Sequence, residues 1–159
     1  MSEKRKEIPK WLKSHPFSPG EKEPTLRKFE EGLQLVYGKE GKLFDYTPLH
    51  FISDRIVFGE YTVPPGEYVI PPDVHPGDEC YYCLEGTAVI FDPVHGEAIE
   101  MNPGDVLLIP KGTWHAGFNF GNVNFRILAV LAPKIWSEDD MGVDIEFKGK
   151  TLYYKGEED

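Results

Sequence analysis

Between Gly66 and Asn119 the chain carries two spaced groups of residues whose types suit a metal ion. The first reads Asp73-Val-His75-Pro-Gly-Asp-Glu79 and is followed after six residues by Gly86. The second runs from Gly104 through Pro110, Gly112, Thr113, Trp114 and His115 to Asn119. Imidazole and carboxylate are ligands for iron, manganese, nickel, zinc or oxidised copper. Residues two apart on an extended chain share a face, so Asp73 and His75 leave the backbone on the same side. Pro76-Gly77 then turns the chain so that Glu79 can open the next strand.

These residues resemble the cupin signature. Its second half asks for Gly, five residues, Pro, one, Gly, two, His, three, Asn, and Gly104, Pro110, Gly112, His115 and Asn119 match it without a gap. The first half asks for His-x-His, three or four residues, Glu, six residues, Gly. His75, Glu79 and Gly86 fit, whereas Asp73 stands in place of the leading His and Gly66 lies one residue too far upstream. The resemblance covers residues 56–132. It implies a double-stranded β-helix, or jelly-roll barrel, with a divalent transition metal (iron, manganese, nickel or zinc) held at its mouth by His75, Glu79 and His115. Asp73 is then either a fourth, carboxylate ligand or swings away and leaves a position vacant. Two imidazoles with one or two carboxylates leave coordination positions open to a substrate oxygen, water or dioxygen. In proton-transfer chemistry Glu79, or Asp73 if it is not a ligand, is the candidate base.

The other reactive side chains have less to recommend them. Cys80 and Cys83 have a Cys-x-x-Cys spacing, but on a strand residues three apart leave by opposite faces and cannot converge on one ion, so they read as packed cysteines. His15, His50 and His95 lack partners in the sequence pattern, and His50 and His95 read as surface or capping residues. Asn119 reads as a ligand by its motif position or as the holder of a loop through backbone hydrogen bonds. Gly86, Gly104 and Gly112 read as turn glycines. Strand alternation places Tyr81 and Cys83 on the face of Glu79, and Thr113 and Gly117 on that of His115. Arg55 and Arg126 sit in strand-like stretches, where each either meets a substrate carboxylate or pairs with one of the many acidic residues.

The elements that must position these residues are strands. The 159 residues are 40% hydrophobic and 13% aromatic, with 16 Gly and 14 Pro scattered among short apolar runs. That pattern predicts an all-β fold of many short strands and tight turns. Residues 33–37 and 43–47 predict a hairpin, followed by strands at 49–52, 55–63, 68–70, 79–84, 86–91, 98–101, 105–109, 114–118 and 124–131. Residues 143–147 and 151–155 predict a final hairpin. Residues 1–32 read as an irregular arm with a short helix from Pro24, and residues 33–155 as one barrel domain. In cupins such arms lie against a partner subunit, so the resemblance also implies a homodimer.

A formal charge of −10, with no continuous basic stripe, argues against a nucleic-acid partner. No apolar run is long enough to span a bilayer, and a cytoplasmic location is expected. The function expected is that of a metal-dependent enzyme acting on a small oxygen-rich metabolite by isomerisation, decarboxylation or dioxygen insertion. The alternatives are a small-molecule-binding module without turnover and a metal-free barrel in which Asp73, in place of a histidine, has abolished the site.

Overall fold

The computed structural model describes residues 23, 24, 26, 28, 33–39, 42–52, 55–69, 72–133 and 151–155. The strands are β1 (Leu33–Lys39), β2 (Lys42–Ile52), β3 (Val57–Val63), β4 (Asp78–Glu85), β5 (Ala88–Asp92), β6 (Glu97–Met101), β7 (Val106–Ile109), β8 (Ala116–Phe118), β9 (Phe125–Ala132) and β10 (Thr151–Lys155). They form two antiparallel sheets, one of seven strands in the order β10-β1-β2-β3-β9-β4-β7 and one of three in the order β6-β5-β8. This is the all-β jelly-roll architecture that the short, turn-punctuated strands predict.

Period-two burial shows why these residues are strands. Along β9, Phe125, Ile127, Ala129 and Leu131 face the interior while Arg126, Leu128 and Val130 face outward. On β4 the inward set is Glu79, Tyr81 and Cys83. Val63, Ile90, Met101, Ile109, Phe125 and Ile127 belong to the core between the sheets. Each such side chain, once fully buried, contributes roughly 1.5–3 kcal/mol, so the fold rests on these and not on the polar groups at the mouth.

At several points the strands depart from the pattern that the sequence predicts. The stretch 49–52 is no separate strand: β2 runs on through Pro48, and the irregularity appears as a register shift against β3 between Leu49 and Phe51. Residues 68–70 contribute only an isolated bridge, Tyr68 to Phe118, with Ile70 outside the described residues. β10 pairs with β1, Gln34 opposite Lys155 through Gly38 opposite Thr151, and residues 143–147 lie outside the described residues. Pro24, Leu26 and Lys28 are not helical, and Leu26 is 86% exposed. A short helix without a buried apolar face lacks the packing that stabilises it. Apart from the exposed Glu23, the rest of the arm, including His15, lies outside the described residues. Among the described residues no helix is long and apolar enough to cross a membrane.

The signature glycines take the conformations that only glycine adopts readily. Gly86 has φ +74° and Gly104 φ +92°. At Gly86 there is a second constraint, because a Cβ there would press on the backbone of Asn124 and Phe125.

Asn119 is settled in favour of the loop. It is 1% exposed, its Nδ2 donates to the carbonyls of Val63 and Val123 at 2.8 Å each, and its Oδ1 accepts from the Gly121 amide at 2.9 Å. Asn119→Ala removes all three bonds and leaves the Val63 carbonyl buried without this donor. We expect a loss of about 2–4 kcal/mol in denaturant unfolding with metal content unchanged.

Candidate metal centre

The two ligand-bearing stretches are distant in sequence, and a narrow antiparallel ribbon brings them together. Gly66 N donates to Asn119 O and Asn119 N to Glu67 O at 2.9 and 3.0 Å, and Val69 N donates to Gly117 O at 2.9 Å. Asp73 and His115 exchange both backbone bonds, at 2.8 and 2.9 Å, and Gly112 N donates to His75 O at 2.9 Å. The first half of the signature is thus paired along the second. Directly opposed residues project to the same side, so Asp73 and His115 emerge together. Glu79 arrives from the adjoining strand β4.

His75, Glu79 and His115 each offer one ligand atom, all within 4.8 Å of one another. Glu79 and His115 are 5% and 6% exposed, and His75 is half-buried. Glu79 Oε2 lies 3.0 Å from His115 Nε2 and 3.5 Å from His75 Nε2, and the two imidazole centroids are 5.4 Å apart. Despite these separations Glu79 Oε2, which is buried, makes no well-directed hydrogen bond. His115 Nδ1 lies 3.1 Å from the Thr113 carbonyl, to which it donates. In the neutral ring that leaves a lone pair on Nε2, facing the carboxylate. Two electron-rich atoms at such a distance require a cation between them, either a proton or a metal. The donor set of two imidazole nitrogens and one carboxylate oxygen fits a divalent transition metal.

A proton and a metal ion would therefore compete for the same place. Burial pushes the His115 imidazolium down, but the Glu79 carboxylate, the Thr113 carbonyl and the charge of Asp73 together outweigh it, and the net shift is upward. A raised value means that protonation begins at a higher pH than for an ordinary imidazole, so metal should be released as pH falls from neutral towards about 5. In the metal-free protein the sign reverses. A folded-state value above the unfolded one contributes stability that is fully present below about pH 6.5 and is lost as pH rises through the folded value. Metal content and thermal unfolding across the same titration check both expectations.

Asp73 is outside this group. The residue is exposed overall and helps to line a small cavity beside the cluster, together with Tyr61, Val63, Tyr81, His115, Phe125 and Ile127 among others. The Tyr81 hydroxyl is held protonated far above the usual range by burial and then by the charges of Glu79 and Asp73. Tyr81, Cys83 and Gly117 lie on the faces that strand alternation assigns them, and Thr113 contributes its carbonyl. The lining residues Tyr61, Val63, Phe125 and Ile127 were not singled out in the sequence, although alternation along β3 and β9 was sufficient to find them.

The remaining candidates resolve outside the site. Cys83 is buried, Cys80 is half-buried on the opposite face of β4, and both are free. Arg126 pairs with Glu60 at 2.9 Å and with Glu85 at 3.3 Å on the outer face of the large sheet, so the ion-pair alternative holds for it; Arg55 is exposed. His50 does have a partner, Glu60 at 3.3 Å, which a reading of local sequence could not register across the β2–β3 pairing. His95 caps an exposed turn against Asp92 at 2.6 Å.

The Cupin domain family model matches residues 59–131. The chain carries a cupin domain. Among its relatives, an uncharacterized protein of Methanocaldococcus jannaschii is 34% identical over 80 residues, which cover 50% of this cupin and 62% of that protein. Quercetin 2,3-dioxygenase of Bacillus subtilis is 27% identical over 109 residues, 64% of this cupin and 32% of the enzyme. This cupin therefore spans less than two thirds of the length of either curated relative. The polyketide cyclase RemF of Streptomyces resistomycificus superposes with a TM-score of 0.52 at 26% identity, over 62% of this cupin and 76% of RemF.

Proposed function

We propose that this cupin is a metal-dependent enzyme acting on a small oxygen-rich metabolite by isomerisation, decarboxylation or dioxygen insertion. The observation that carries this reading is the convergence of His75, Glu79 and His115 around a buried carboxylate oxygen with no hydrogen bond, at the edge of a cavity. The catalytic names of the dioxygenase and cyclase relatives support it. A bound divalent transition metal, iron, manganese, nickel or zinc, supplies polarisation of substrate oxygens and stabilises negative charge developing on them.

The protein's own residues do the rest. Thr113 fixes the His115 tautomer, and the apolar walls keep bulk water from the reacting group. Glu79 belongs to the converging set, so Asp73, on the cavity wall beside it, is the base of this proposal and accepts a proton from the substrate. Tyr81, hydrogen-bonded to Glu79, helps to hold that carboxylate in place. A second copy of the chain is the proposed partner, and the exposed Tyr82, Leu84, Val106 and Leu108 on the outer face of β4 and β7 are apolar surface that such a contact would cover.

Elemental analysis of the protein tests the reading together with Asp73→Asn. Near one equivalent of metal in both forms, with turnover of a responsive substrate lost only in the variant, is the expected result. The position of Asp73 outside the converging group also favours a second reading, a binding module that has lost its metal. No metal after reloading would establish that module instead.

A further inference from the structure

We infer that the cluster binds a small uncharged hydroxycarbonyl compound at the mouth, with a methyl-sized substituent in the cavity beside it, and turns away dicarboxylates, an inference that rests on the metal-dependent reading above. Its described lining includes no Lys or Arg. Arg126, a cation on a neighbouring strand, points to the opposite face of β9 and is engaged by two glutamates. Two carboxylates already face the site, Glu79 in the cluster and Asp73 on the wall. They balance the charge of a divalent cation, so a dicarboxylate would bring two further negative charges beside a largely apolar cavity whose described lining offers no counter-charge. Burying such charge is costly.

A hydroxycarbonyl compound offers the same pair of chelating oxygens and brings at most one negative charge. Tyr61 and Tyr81 bring uncharged phenols to the cavity lining, polar groups that add no charge to repel or attract the ligand. Val63, Val69, Ile90, Phe125 and Ile127 supply a seat for an alkyl substituent. The interior volume is about 20 Å³, on a measure in which one water needs about 10–15 Å³. A methyl-sized group fits there, while any larger ring stays at the mouth. Asp73 is then a specificity element as well, acting by repulsion.

The test uses cobalt(II)-loaded protein, with cobalt content measured before and after titration, and two probes that chelate through a five-membered ring. These are maltol, a neutral methyl-substituted hydroxypyranone, and oxalate. The change in visible absorption is titrated with each, and each half-saturation is normalised to the probe's affinity for free cobalt. We expect maltol to be favoured by at least about tenfold, and Asp73→Asn to narrow that preference severalfold by improving oxalate. Equal or tighter oxalate binding, or no response to either probe while cobalt stays bound, overturns the inference and leaves the metal site standing. An unchanged preference in Asp73→Asn overturns its electrostatic basis. Failure to bind cobalt at all overturns the metal-dependent reading itself, and this inference with it.

Discussion

Replacing His115 with alanine should remove bound metal while leaving the barrel folded. His115 is the member of the cluster closest to the Glu79 oxygen and the one whose ring is oriented by a backbone carbonyl. Without it the remaining imidazole, His75, is half-buried and 3.5 Å from the same oxygen. Outer partners of a metal ligand are worth roughly 10–100-fold in affinity, so loss of the ligand itself should exceed that range. The fold should survive because the core of Val63, Ile90, Met101, Phe125 and Ile127 does not pass through His115. Elemental analysis and circular dichroism of native and variant protein check the two halves separately. Full metal content in the variant would refute the proposed ligand set.

The second large effect is on stability. Gly86→Ala should cost about 3–5 kcal/mol, because strain from a positive φ adds to a clash with backbone that has no side-chain end to move aside. The added Cβ would meet the Asn124 carbonyl oxygen, and the Asn124 carbonyl carbon and Phe125 Cα at 3.0 Å. Phe125 is itself 1% exposed at the start of β9, so displacement there is transmitted to the core. Gly96→Ala is the control: its φ is +70°, but nothing lies within 4 Å of the added carbon. Thermal unfolding should fall by roughly 10 °C for Gly86→Ala and by no more than a few degrees for Gly96→Ala. Equal shifts would mean that the φ alone, and not the close approach, makes glycine necessary at position 86.

These expectations draw on features of unequal visibility in the sequence. The strands of the barrel were readable because side chains alternate along each one, which is a local property. His115 and Glu79 were readable because a fixed spacing of turn glycines, proline and ligands repeats a known signature. Asp73 was ambiguous for a physical reason: a strand end gives its direction but not how far its short side chain reaches, and the three converging residues close without it. The pairing of β10 with β1, the His50–Glu60 contact and the outward turn of Arg126 towards Glu60 and Glu85 all depend on sheet register between distant segments, which local periodicity does not contain.

The ribbon that pairs residues 66–69 and 73–75 with 112–119 also bears on the order in which this protein assembles. It closes a long intervening loop, whose entropic cost grows only slowly with length but must be met before any ligand finds its neighbours. In the unfolded chain His75 and His115 are remote, so no fragment ending before His115 can hold the complete cluster. The site thus comes into being with the finished barrel, and an ion seated there would act as a latch across the seam, slowing its unzipping more than it speeds its formation.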